Sequence, residues 1–133
     1  MRKRGQLASA DVGRFRYEGL DRTLHERARL GVMASLLTSA EGRLFADLKR
    51  VCGLTDGNLS RHLEVLRKAG MVEVWKGFDN RRPQTLCRLS PMGRQRFRAY
   101  VRELQRVVRD ATPPRRARHG HPTTLPAGWT KEE

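Results

Sequence analysis

The sequence predicts a mainly α-helical domain with one small β-hairpin, in the order helix, helix, helix, hairpin, helix. Three observations lead there. Apolar residues recur at helical spacing in three successive stretches between residues 21 and 69. The period then falls to two across residues 72–89. A last stretch at helical spacing runs from Ser90 to Asp110.

The first helix is expected from about Asp21 to Thr38, with Asp21 as N-cap and Glu41-Gly42 closing the unit. Leu24, Ala28, Leu30, Val32, Met33, Leu36 and Leu37 form a stripe wider than one buried contact needs. The second helix, about Phe45 to Val51, places Phe45, Leu48, Val51 and Cys52 on one side. Gly53 suits a left-handed C-cap, and Thr55 then caps a third helix running to Ala69, where Gly70 stops it. A join as short as Gly53-Leu54-Thr55 is what a helix-turn-helix requires. In the hairpin, Val72 and Val74 alternate with Glu73 and Trp75, and Thr85, Cys87 and Leu89 alternate again. The basic, turn-rich stretch Lys76–Pro83 between them reads as a long positive tip. Ser90-Pro91 opens the last helix as N-cap and first-turn proline, and Phe97, Tyr100, Val101, Leu104, Val107 and Val108 mark its apolar face.

The 133 residues suit a single domain. Its folded part is expected over residues 20–110, between a basic, flexible extension at 1–19 and a Pro/Arg-rich, disordered tail at 111–133. A domain that small often leans on a partner chain. Lys plus Arg total 28 against 14 acidic residues, a net charge of +14 spread along the chain. Such a field attracts polyanions: DNA, RNA or an anionic membrane. Two cysteines, Cys52 and Cys87, make no disulfide framework and point to a reducing cytoplasm. The N-terminal stretch lacks the apolar core of a signal peptide. No run approaches the roughly 18 apolar residues of a membrane span, so no membrane partner is expected.

The order of elements is that of a winged helix-turn-helix. The stretches LTDGNLSRHLEVLRKAGMVEV, KGFDNRRPQT and LSPMGRQRF, within about residues 20–110, resemble the small single-domain winged-helix regulators of the MarR-like and ArsR-like superfamily. The resemblance implies a homodimeric DNA-binding transcription factor, with the third helix in the major groove and the wing on the backbone or minor groove. ArsR-like proteins often sense metals through a cysteine pair in the third helix; this chain has none there.

The residues themselves support double-stranded DNA as partner. On a helical wheel at about 100° per residue, Leu59, Leu63 and Leu66 form the core face of the recognition helix, residues 55–69, with Gly57, Arg61, Glu64 and Lys68 opposite. A recognition helix reads bases with its N-terminal residues. There Thr55, Asn58, Ser60 and Arg61 offer the chemistry: Arg pairs with guanine O6 and N7, Asn with adenine N6 and N7. His62 falls on the flank, placed to bond a phosphate or to pack. Asp56 serves the positive helix end better than it serves a base. On the basic wing, residues 76–85, Lys76, Arg81 and Arg82 are the candidates for phosphate or minor-groove contacts. Arg2, Lys3, Arg4, Arg115, Arg116 and Arg118 are positioned to add nonspecific contacts.

Nothing reads as an enzyme. Ser60, Arg61 and His62 are helical neighbours that point apart, and no carboxylate stands at an orienting distance. His119 and His121 form an HGH in the tail expected to be disordered, which makes a weak case for a metal site, and no cofactor is implied. The apolar excess of the first and last helices predicts a homodimer through Leu24, Leu36, Phe97, Tyr100, Val101, Leu104 and Val108. A small-molecule effector between the dimer helices and the DNA-binding lobe is left open, with no residue set marking it. The expected function is a cytoplasmic, nucleoid-associated, sequence-specific regulator, most simply a repressor. The competing classes are a nonspecific nucleoid-type or RNA-binding basic protein, and a winged-helix protein-interaction module.

Overall fold

The computed structural model describes residues 8–113 and 124–133. The elements are α1 (Arg27–Leu37), β1 (Arg43–Leu44), α2 (Phe45–Cys52), α3 (Asp56–Lys68), β2 (Val72–Asp79), β3 (Arg82–Leu89) and α4 (Pro91–Ala111). This is the predicted winged helix, with one strand added. β1, β3 and β2 form an antiparallel sheet in that order. β1 is only two residues long, pairing Arg43 with Cys87 and Leu44 with Leu86, and two residues carry no readable alternation. Gly42 makes the pairing possible: its φ is 95°, and a side-chain carbon there would come within 2.6 Å of the Cys87 carbonyl oxygen.

One apolar core joins the four α-helices and the two long strands: Leu24, Val32, Met33, Leu36, Leu48, Leu59, Leu63, Leu66, Met71, Val72, Cys87, Leu89, Phe97 and Tyr100. Four residues expected at the dimer interface therefore lie inside the protomer. Leu24 and Leu36 are fully covered, Tyr100 is 1% exposed and Phe97 3%. The chain is short enough that the wide stripe of its first and last helices is needed to close its own core. Val101 and Leu104 are half-buried against that core, and Val108 remains 64% exposed.

α1 starts six residues later than the sequence suggested. Glu26 is its N-cap, its carboxylate accepting the N–H groups of Ala28 at 3.1 Å and Arg29 at 2.8 Å. Asp21 instead accepts the Thr23 N–H at 2.8 Å and pairs with Arg96 of α4. Burial opposes both charges, yet these hydrogen bonds hold the Asp21 and Glu26 carboxyls below their ordinary values. Residues 8–19 were expected to be a free extension. They follow α4 instead: Tyr17 Oη donates to Asp110 Oδ2 at 2.8 Å, the Gly19 N–H donates to Glu103 Oε2 at 2.7 Å, and the Arg106 guanidinium lies 5.1 Å from the Tyr17 ring. Those partners lie more than eighty positions away and leave no local pattern. The basic residues at 2–4 and at 115, 116 and 118, and the histidines at 119 and 121, lie outside the described residues. Residues 124–133 form no helix or strand.

The root of the hairpin is tied to both helices that flank it. Gly70, at φ 76°, ends α3 as expected. Ser90 Oγ donates to the Gly70 carbonyl at 2.5 Å and accepts the Gly93 N–H at 2.9 Å, while the Ser90 N–H donates to the Met71 carbonyl at 3.0 Å. Gly93 sits directly on this junction: a side-chain carbon there would lie 1.9 Å from the Met71 oxygen. Gly93→Ala should therefore destabilise the domain by about 1–3 kcal/mol, the usual cost of overpacking, despite alanine's better helix propensity. Urea unfolding checks this; an unchanged or raised midpoint would remove the tight junction.

Candidate nucleic-acid interface

The helix-turn-helix is built by local capping. Gly53 takes φ 63° and its N–H donates to the Arg50 carbonyl, while the Leu54 N–H reaches the Lys49 carbonyl. Thr55 Oγ1 accepts the Asn58 N–H at 3.2 Å, so its oxygen caps α3 while its O–H stays available as a donor. Lys49 Nζ pairs with Asp56 Oδ1 at 2.8 Å. That turns the acidic residue toward α2 and the helix end, in keeping with a structural use.

Leu59, Leu63 and Leu66 hold α3 to the core, and Asn58, Ser60 and Arg61 all face solvent. His62 is corrected by the structure. It is 9% exposed, with Nδ1 at 3.3 Å from Arg29 Nη1 and 3.7 Å from Glu26 Oε2. It belongs to the α1–α3 contact and not to a DNA-facing surface, because α1 begins beside the flank on which the wheel put it. Further along, Glu64 holds Arg67 through two hydrogen bonds of 2.9 and 2.6 Å, and Lys68 stands 3.8 Å from the same carboxylate. Arg67 keeps the Glu64 carboxyl ionised below its usual range. The cations in the second half of the helix thus share one carboxylate, while among the described residues Arg61 has no ion pair.

The hairpin ends differently from the long tip that its composition suggested. Its strands run to Asp79 and Arg82, leaving Asn80 and Arg81 as a two-residue turn at φ 48° and 67°. Positive φ at both positions is the type I′ geometry, whose twist matches the strands. Asp79 and Arg82 then form the hydrogen-bonded closing pair, and Phe78 faces Pro83 at a position that asks no N–H of the proline. The distal half of the ribbon is exposed from Trp75 to Pro83. Lys76 Nζ donates to Thr85 Oγ1 at 3.0 Å. Arg88 is occupied at the root, 2.7 Å from Glu73 and 5.1 Å from the Trp75 ring. Among the described residues neither Arg81 nor Arg82 has an ion-pair partner.

The recognition helix and the wing flank one cleft of about 350 Å³, lined by Phe45, Ser60, Leu63, Glu64, Arg67, Val74, Lys76 and Thr85. Ser60 and Lys76 thus look into the same space from two elements, which sequence spacing alone does not reveal. Sequence reasoning also missed Phe78, exposed to 79% beside the turn; its place in the alternation was the available signal. Cys52 and Cys87 take no part. Burial raises both thiols, Cys87 to about 11, so their thiolates are scarce at neutral pH. No group of three or more His, Cys, Asp or Glu among the described residues can hold a metal ion, and none of their helices is long and apolar enough to cross a membrane.

Gly57 is exposed in the first turn of α3, and a side-chain carbon there would meet nothing within 4 Å. Nothing inside the fold requires it. Gly57→Ala should raise stability by about 0.5–1 kcal/mol and weaken DNA binding by crowding the approach. Paired melting and binding titrations check this; a variant that gains stability and binds as well would free this turn from close contact.

Residues 28–108 match the family model of the winged helix DNA-binding domain. An uncharacterized protein of Methanocaldococcus jannaschii is 34% identical over 82 residues, covering 62% of this chain and 88% of that protein. A transcriptional regulator homologue from Pyrococcus horikoshii OT3 superposes with a TM-score of 0.63 at 29% identity, covering 68% of this chain and 88% of its own. The M. tuberculosis transcriptional regulator MOSR, solved in complex with DNA, gives 0.55 at 23% identity, with 77% and 75% covered. A MarR-family transcriptional regulator from Silicibacter pomeroyi gives 0.51 at 23%, with 77% and 74% covered. The tight helix-turn-helix, the wing with its two-residue turn and these matches agree: the chain belongs to the winged-helix DNA-binding domain family, in the fold of the MarR-like transcriptional regulators.

Proposed function

We propose that the protein is a sequence-specific regulator of transcription that binds double-stranded DNA as a homodimer, in its simplest form a repressor that occludes the polymerase. The observation that carries this reading is the pairing pattern of the cations. Among the described residues Arg61 on the recognition helix and Arg81 and Arg82 on the wing are exposed without an ion pair, while Arg67 and Arg88 on the same two elements are engaged. α3 enters the major groove with Asn58, Ser60 and Arg61 toward base edges, and the Thr55 hydroxyl reaches the backbone. The wing lies on the neighbouring backbone and minor groove through Lys76, Arg81 and Arg82. The protein works in the cytoplasm, on the nucleoid. No effector is needed for this reading.

Competition binding tests it. The regulator reading expects a preferred sequence to be bound at least about 10³-fold more tightly than random DNA. Arg61→Ala should lose most of that preference, whereas Arg82→Ala should weaken all sequences alike and lower the slope of log affinity against log salt by roughly 0.9. Equal affinity for all DNA would favour the nonspecific nucleoid-type reading that the +14 charge also permits. No affinity for DNA at all would favour a protein-interaction module.

The proposed two-fold contact is the part of α4 that the core leaves open, where Val101, Leu104, Gln105, Val108 and Arg109 line a shallow depression. Two recognition helices would then meet half-sites about 34–36 Å apart. Val108→Asp, at an exposed position, should shift sedimentation from dimer to monomer without loss of folded signal. A variant that sediments as the wild type would take α4 out of the interface.

A further inference from the structure

Resting on the DNA-binding reading, we propose that Phe78, braced by Pro83, is an apolar wedge that enters the minor groove, partly unstacks a base step and bends the bound duplex. Strand alternation places Val72, Val74, Lys76 and Phe78 on one face of the ribbon, with their cross-strand partners Leu89, Cys87, Thr85 and Pro83. The root of that face is core: Val72 is 3% exposed and Cys87 fully buried. Its far end is not, since Phe78 is 79% exposed. Past the polar Lys76–Thr85 pair, the same face thus carries a second apolar pair about four residues, roughly 13 Å, beyond Val74, and leaves the ring outside.

The surroundings of that ring select its occupant. Trp75, on the other face, has the Arg88 guanidinium 5.1 Å from its ring centre; among the described residues Phe78 has neither a ring nor a cation over it. Lys76 shares its face, and Arg81 and Arg82 stand at the turn. The one nearby acid, Asp79, points to the opposite face with its partner Arg82. A single phenyl ring set among cations is a poor docking patch for an apolar protein surface, but it suits a duplex: the cations meet phosphates on either side and the ring meets bases. A two-stranded ribbon matches the minor groove, about 6 Å wide and 7.5 Å deep. Phe and Pro are among the side chains that wedge base steps apart. The two-residue turn and the proline stiffen the tip, so little freedom is lost when it enters.

The test uses the full chain and a short duplex carrying a sequence selected from a random pool, with fluorophores at both ends to report bending. The wild type should bend the duplex by about 20–90°. Phe78→Ala removes an exposed ring and should keep its melting temperature, bind roughly five- to 150-fold more weakly, leave the duplex straighter, and preserve the salt slope because no phosphate contact is lost. Phe78→Leu should retain most of the bend. Wild-type binding without a bend, or an alanine variant that bends DNA as before, overturns the wedge and leaves the regulator reading standing. A wild type that does not bind DNA overturns that reading, and the wedge with it.

Discussion

The arrangement of the recognition helix and the wing depends on one close contact, the backbone of Gly70 and Met71 against that of Ser90 and Gly93. The hairpin leaves and re-enters the helical body at this place. Two hydrogen bonds from Ser90 and the missing side chain of Gly93 bring α4 onto the end of α3 at van der Waals distance. The angle between recognition helix and wing is set here, because the distal ribbon touches little else: it is exposed from Trp75 onward. A shift of α4 by a methyl group would be magnified along a ribbon eight residues long. That rigidity lets two separate elements address one ligand, since protein interiors are packed too closely to tolerate small displacements freely.

Part of the positive charge on this protein is held in ion pairs. Arg29, Arg67, Arg88, Arg96 and Arg106 are engaged by Glu26, Glu64, Glu73, Asp21 and Glu103. Each such exposed or half-exposed pair stabilises only slightly, by about 0–1 kcal/mol, but it fixes where a side chain points and takes it out of competition for phosphate. On α3 and the wing this leaves Arg61, Arg81 and Arg82 without an ion pair among the described residues, and the proposed DNA contact uses these three. The second half of α3, carrying Glu64, Arg67 and Lys68 as a mutual cluster, is thereby distinguished from the first. In the proposed complex, base reading concentrates in about the first turn and a half.

How much of this was legible from sequence follows the range of the interactions. Gly53, Thr55, Gly70 and Ser90 act within a few residues of themselves, and their caps were readable. The stripe of Leu59, Leu63 and Leu66 was readable for the same reason. What required the fold was long-range. Asp21 looked like a helix cap until Arg96 claimed it from 75 positions away. His62 was left between a phosphate contact and packing until α1 was seen to cover it. Phe97 and Tyr100 looked like spare apolar surface because a wheel cannot count how much core a short chain must fill. In the wing, composition correctly marked a basic turn, but its length was misjudged: Asn80 and Arg81 both accept positive φ, and that choice extends the strands and brings Phe78 to the tip.

The central claim is that α3 lies in the major groove while the wing lies in the minor groove beside it. Methylation protection with dimethyl sulfate tests it directly, since guanine N7 opens only to the major groove and adenine N3 only to the minor. On a selected duplex, the account predicts guanine N7 protection within each half-site, lost in Arg61→Ala, and flanking adenine N3 protection, lost in Arg81→Ala. Protection of neither position, or N7 protection that persists without Arg61 and vanishes without Arg81, would contradict it.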